Sequence, residues 1–291
     1  MFRGRARWEA LPDIERPGRI SAGVLRAVRW VRPLARLAHR PTLAGLENLP
    51  EGPFLLVANH SAGLGISEIL CFAVLYLREF ADTRPLAGFA LPTAFGVWPF
   101  SAIFLAIGAV PSTYAHATRA LAKGVPLLVF PGGDHETLRP VWQHDRVDFG
   151  GRIGFLKIAR DAGIPVVPMG IRGGAFTAPM LVRSRLFARL LVAPRLIGQK
   201  RWGLSLLGLL GALALAFTPL SWPWKMGLTA LWLGSPITFM PWIPWTLRYR
   251  IGAPLAADTL FPAGAASDEA ALREALARVE NAVQSLVREP G

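Results

Sequence analysis

Short apolar runs, too brief for helices and rich in Leu or β-branched residues, punctuate the first 170 positions; Val125 to Phe130 and Ile164 to Met169 are the plainest. Runs of this kind predict strands covered on both faces, as in a parallel sheet. Between them, apolar residues recur at helical spacing. The pattern predicts a strand over 53–58, a helix over 66–79, a short strand near 85–90, an apolar helix near 93–106 and a strand over 107–111. It continues with a helix over 113–123, a strand over 125–130, a polar loop over 131–150, a helix over 151–162 and a strand over 164–170. Strands alternating with helices place the chain in the α/β class, with a mostly parallel sheet flanked by helices.

The pattern differs at both ends. Between Ser21 and Arg40 the basic residues Arg26, Arg29, Arg36 and Arg40 are interleaved with Leu25, Val28, Val31 and Leu34, which predicts a basic amphipathic helix interrupted or kinked at Pro33. Residues 183–201 carry Arg183, Arg185, Arg189, Arg195, Lys200 and Arg201 with no acid, and Trp202 to Trp224 carry no charge at all. A span needs about 20 apolar residues, but Pro219, Pro223, Pro236, Pro241 and Pro244 interrupt this stretch. A shallow re-entrant hairpin, one or two true spans and a buried soluble insertion all fit. Trp202, Trp222, Trp224, Trp232, Trp242 and Trp245 beside an arginine cluster favour a membrane interface with the basic side on the cytosolic face. Beyond it, Trp245 to Ile251 reads as a strand returning to the sheet. Ser267 can cap a final helix whose Leu272, Leu276, Val279, Val283 and Leu286 form one stripe. The expected organisation is 1–42 as a basic amphipathic segment, 43–182 as the α/β core, 183–244 as a membrane-associated insertion and 245–291 as the remainder of the core.

Composition sharpens this picture. Hydrophobic residues make up 52% of the 291 positions and charged residues 18%, so a membrane enters the reading. The formal net charge of +13 suits anionic lipid, an anionic substrate or nucleic acid. The basic runs flank apolar segments instead of lining an aromatic-studded polar face, which argues against nucleic acid. The single cysteine, Cys71, excludes an internal disulfide and a cysteine-based zinc cluster, and its apolar setting predicts a buried, inert thiol. The first twenty residues lack the apolar core of a secretory signal, so the amino terminus is expected on the cytosolic side.

Chemistry concentrates in two blocks, VANHSAGLGISE from Val57 to Glu68 and VFPGGDHETLRP from Val129 to Pro140, each at the carboxyl end of a predicted strand. In this order they resemble the phospholipid and glycerol acyltransferase family, the lysophosphatidate acyltransferases among them. The Pro131-Gly132-Gly133 turn followed by Glu136 and Leu138 is similar to a block of the diacylglycerol acyltransferase branch, and TLRYRIGAPL from Thr246 resembles the family's returning strand. The resemblance covers about Leu43 to Gly174. It implies transfer of a fatty acyl chain from acyl-CoA or acyl carrier protein to a glycerolipid hydroxyl, without a resident cofactor or metal. It also implies membrane lipids and acyl-CoA as partners and a place at the cytoplasmic face of the inner or plasma membrane.

Such a transfer needs a base for the hydroxyl proton and donors for the tetrahedral oxyanion. His60, in an Asn-His-Ser turn after a strand, is the candidate base, with Asn59 and Ser61 beside it as substrate-binding candidates. Where the family pattern places an acid after four intervening residues, five positions beyond the histidine, this chain has Gly65, so Glu68 becomes the candidate to orient the imidazole. The family's glutamate in the second block is Gly132, and Glu136 is the candidate replacement. Gly132 and Gly133 can turn backbone N–H groups toward an anion. Arg139 and Arg152 either contact phosphate or form loop ion pairs with Asp134, Asp145 or Asp148. His135 stands where the family commonly has Arg, which lends weight to a neutral-lipid acceptor such as a diacylglycerol or a wax alcohol. With both expected acids replaced by glycine, a catalytically silent membrane-binding relative is the other alternative.

Overall fold

The computed structural model describes residues 11, 14–81, 83–96, 98–192, 194, 201–262 and 268–289. Seven strands, numbered in chain order, form one sheet. In space these are β1 (Thr42–Ala44), β9 (Arg248–Ile251), β6 (Val166–Arg172), β2 (Leu55–Ala58), β5 (Leu127–Val129), β3 (Ala87–Ala90) and β4 (Val110–Pro111). The five from β6 to β4 are parallel; β9 joins β6 antiparallel and β1 follows β9 in parallel. The mostly parallel sheet and the returning strand are therefore as expected from the sequence.

Alternation along the central strands explains why they read as continuous apolar runs. Leu55, Val57, Leu127, Val129 and Val166 face one layer of helices: α4 (Tyr114–Ala122), α5 (Gly154–Ala162) and α9 (Asp268–Arg288). Leu56, Ala58, Leu128, Val167 and Met169 face the other, chiefly Cys71, Phe72 and Leu75 of α2 (Ile66–Phe80). With successive side chains on opposite faces and both faces covered, every position is apolar. Cys71 is fully buried, and burial pushes its thiol up to about 12, which keeps it protonated. On α9 the stripe is Leu272, Leu276, Val279, Val283 and Val287, while Leu286 packs on Gly170 and Gly252. The proposed cap Ser267 lies outside the described residues.

Several expected elements differ in detail. The apolar helix near 93–106 is a 3-10 turn over Pro92–Gly96 followed by α3 (Phe100–Ala106), because Pro99 lacks the N–H a continuous helix would need. The loop over 131–150 contains one helical turn, Asp134–Thr137, and a 3-10 turn, Val141–Gln143. The basic helix α1 (Ala22–His39) runs through Pro33 without interruption, capped by the Ser21 hydroxyl. Its Ala35 is buried, whereas Leu34, Trp30 and Leu37 are exposed.

The described residues of 180–192 and 201–244 form elements outside the main sheet. β7 (Met180–Ser184) and β8 (Trp202–Ser205) form a separate antiparallel ribbon. Between them lies α6 (Arg185–Leu190), and α7 (Leu206–Ala216) and α8 (Trp222–Gly234) follow as a helical hairpin. Gly211 lets the Trp232 ring lie against α7, where the indole N–H donates to the Gly208 carbonyl at 3.0 Å. A 3-10 turn, Pro236–Phe239, then returns the chain, burying Phe239 against Trp202. Only Gly208 in α7 and Gly234 in α8 are buried. At 1.5 Å per residue these helices are roughly 16 and 20 Å long against a hydrocarbon core of about 30 Å. No described helix is long and apolar enough to cross a membrane.

Candidate active site

β2 ends at Ala58, and the chain then turns through Asn59, His60 and Ser61 before α2 begins at Ile66. The Asn59 amide fixes this turn to the neighbouring strand, donating to the Ile171 carbonyl at 2.8 Å and accepting from the Ile171 N–H at 2.7 Å. Both of its polar ends are thus used by the backbone. Asn59, expected among the substrate-binding residues, is a buried clamp that aims the next residue.

His60 Nδ1 lies 2.6 Å from Glu68 Oε2. Glu68, on the first turn of α2, is fully buried and also accepts from the Ser61 hydroxyl at 2.8 Å and the Ser61 N–H at 3.2 Å. The Ser61 hydroxyl therefore points at Glu68, a supporting donor instead of the substrate ligand expected from the sequence. Phe130, at the end of β5, stacks on the imidazole with centroids 4.5 Å apart. Tyr249 of β9 donates its hydroxyl to the Glu68 carbonyl at 2.7 Å, bracing the first turn of α2. Gly174 lies so close that a side chain there would overlap the Glu68 carboxylate.

Gly65, the position where the family pattern has an acid, cannot carry a side chain: its Cβ would fall inside the His60 ring. Its φ of +72° also favours glycine. The same exchange occurs in the second block. A Cβ on Gly132 would overlap the Glu136 side chain, so the Glu136 carboxyl fills the space into which residue 132 would project. Glu136 is buried and accepts from the His60 N–H and the Asp148 N–H, each at 3.2 Å. Burial pushes its pKa up to about 8.

The glycine turn offers one free donor. The Gly133 N–H closes the turn onto the Phe130 carbonyl at 3.2 Å, while among the described residues the Gly132 N–H has no protein acceptor. Arg139 is buried, paired with Glu136 at 3.4 Å and bonded to the carbonyls of Arg146 and Asp148. Arg152 donates to the Pro131 and Gly132 carbonyls and pairs with Asp134. Of the two roles open to these arginines, the structure places both in loop ties and ion pairs. Two arginines not singled out as site residues, Arg183 and Arg201 on the β7–β8 ribbon, approach His135 Nδ1 at 3.3 and 2.9 Å. Burial, with these cations adjoining, holds His135 below its ordinary pKa. Ribbon arginines meet the glycine block only through tertiary folding, so no local spacing signalled them. No group of three or more side chains that could hold a metal ion occurs among the described residues.

Comparison with known proteins places this geometry in context. Residues 40–172 match a family model described as Acyltransferase. An uncharacterized protein of Mycobacterium tuberculosis is 32% identical over 169 residues, 56% of this chain and 47% of that protein. A Gallus gallus protein named as a DGAT1/2-independent enzyme synthesizing storage lipids is 31% identical over 137 residues, 46% of this chain and 39% of the relative. The matched segment thus spans about half or less of the length of these curated relatives. Among solved structures, the 1-acyl-sn-glycerophosphate acyltransferase PlsC from Thermotoga maritima aligns over 92% of this chain and 84% of that one, at 18% identity and a TM-score of 0.46.

Proposed function

Residues 40–172 of this chain form a domain of the acyltransferase family, and from that premise we propose that the protein moves a fatty acyl chain from a thioester to a glycerolipid hydroxyl at a membrane surface. The observation that carries the reading is the 2.6 Å contact between His60 Nδ1 and the buried Glu68 carboxylate. A carboxylate on Nδ1 fixes the tautomer and leaves Nε2 to accept a proton. In the proposed reaction Nε2 takes the acceptor's hydroxyl proton as its oxygen attacks the thioester carbonyl. In the same reading the Gly132 N–H, which has no acceptor among the described residues, donates to the developing oxyanion. Collapse of the tetrahedral intermediate breaks the carbon–sulfur bond, and the thiolate leaves with the proton held by His60. No covalent enzyme intermediate is required.

Arg139 and Arg152 are already tied to protein groups, which favours a second reading in which the acceptor is a neutral glyceride. For the membrane, support comes from exposed apolar side chains on the hairpin and its connecting turn. Leu213, Phe217, Trp222, Trp224 and Leu231 are between 47% and 89% exposed, and burying each in lipid would contribute about 2 kcal/mol. Purified protein given labelled acyl-CoA and a panel of phosphorylated and neutral acceptors, with products read by mass spectrometry, tests the reading. His60→Ala is expected to lower transfer roughly a thousandfold or more without loss of fold. Near-normal turnover in a folded His60→Ala protein would remove His60 as the base, and no transfer by the wild type would leave a silent lipid-binding relative.

A further inference from the structure

A cleft of about 360 Å³ opens where β6 ends and β9 begins, lined by His144, Arg172, Phe176, Trp245 and Arg248. Arg172 and Arg248 are register partners across the antiparallel β6–β9 pair, and like charges directly opposite each other destabilise a sheet. No acid lines the cleft to offset them. The nearby Glu289 gives its carboxylate to Arg250 and only its carbonyl to Arg172, at 3.2 Å. Among the described residues the Arg248 guanidinium makes no hydrogen bond or ion pair. The facing wall is aromatic: His144, Phe176 and Trp245 follow one another with ring centroids 4.8 and 4.7 Å apart. Gly173, at φ +97°, allows the Trp245–Thr246 backbone to close against it, since a side chain there would overlap the Thr246 carbonyl.

Two uncompensated guanidiniums facing a stack of rings suit a ligand that is both anionic and flat. The volume falls at the small-molecule end of ligand sites, and aromatic faces with guanidiniums bind heterocycles and phosphates. The position is also informative. Ile171, next to Arg172, is the residue clamped by Asn59, and Gly174, next to Gly173 of the cleft, abuts Glu68, so one segment of chain touches both the cleft and the His60 site. We propose that this cleft holds the adenosine-phosphate end of a coenzyme A thioester, with the base on Trp245 at the end of the stack and phosphate on Arg172 and Arg248. The identity of the ligand as the acyl donor rests on the acyl-transfer reading. A carrier-protein donor presents the same pantetheine arm without adenine, so an adenosine site selects coenzyme A over a carrier protein.

Titration of the full chain in detergent with adenosine 3′,5′-bisphosphate, followed by tryptophan fluorescence and calorimetry, is expected to show saturable binding. Arg248→Ala should weaken it by about tenfold, roughly one charge-assisted contact, and Trp245→Ala should weaken it comparably. In transfer assays Arg248→Ala should raise KM for acyl-CoA by the same factor at unchanged kcat, and leave KM for acyl-pantetheine, which has no nucleotide, where it was. Three results would overturn the site: no bisphosphate binding, equal affinity for inorganic phosphate, or equal losses with acyl-CoA and acyl-pantetheine. If the bisphosphate binds and Arg248→Ala weakens it, but no donor supports transfer, the nucleotide site stands and the acyl-transfer reading fails.

Discussion

Position 65 and position 68 exchange roles for a steric reason. The His60 imidazole occupies the volume that a side chain on residue 65 would need, so the carboxylate must come from elsewhere, and one helical turn further on Glu68 reaches Nδ1 from inside the protein. Gly65→Ala should therefore displace the ring and lower turnover about a hundredfold or more, the scale of an ångström-sized misplacement, with circular dichroism unchanged; a near-normal rate would show that the ring can move without penalty. Glu68→Gln should reduce kcat about a thousandfold with little change in acceptor KM, because an amide fills the space but does not stabilise the imidazolium. Glu68→Asp should fall between. Losses within about threefold for both variants would reduce Glu68 to a helix-start residue. Glu136 makes a different prediction. Its pKa, raised by burial from 4.5 to about 8, lies above the unfolded value, so the native state keeps a proton that the unfolded chain releases. Stability should fall as pH rises from about 5 to about 8. Thermal melts across that window should show a shallower slope for Glu136→Gln, which also loses one acceptor for the His60 or Asp148 N–H; an unchanged slope would assign the pH dependence to other groups.

Elements differ in how much of their structure local pattern can carry. The hairpin of α7 and α8 is apolar over most of its surface, with Lys225 the one charged residue of its two helices, and the helices meet through Gly208, Gly211 and Trp232, leaving most large side chains outside. An all-round apolar helix in water requires another covering. Replacing Phe217, Trp222 and Trp224 together by Ser should weaken binding to lipid vesicles at least about a hundredfold, since each side chain contributes about 2 kcal/mol. The melting temperature should barely move, because these residues are 89%, 71% and 66% exposed in the fold. Equal binding of the variant and the wild type in a vesicle flotation assay would show that the hairpin is not the lipid contact. The hairpin's broken apolar stretch was legible because proline and glycine punctuate it. The β7–β8 ribbon was not, because a short arginine-containing strand has no apolar alternation to reveal it.

At the scale of the molecule, the sheet was legible because strands buried on both faces are written as unbroken apolar runs, and His60 with Glu68 was legible because both lie within eight residues. Tyr249, Gly174, Arg183 and Arg201 reach the site from more than 40 residues away, and only the sheet order brings β9 beside β6 and the 171–174 turn beside Glu68. Charge is a property of the same scale. A formal +13 attracts an anionic surface over roughly a Debye length, about 10 Å at 0.1 M salt, whereas burial of Phe217 or Trp222 in lipid is not screened. The two contributions separate by titration with salt. At low ionic strength binding to vesicles rich in anionic lipid should exceed binding to zwitterionic vesicles, and the two should converge near 1 M salt at a residual affinity instead of at zero. Detergent should then be needed for release. Complete release by salt alone would mean that electrostatics carries the whole interaction and that the apolar hairpin packs against protein, not lipid.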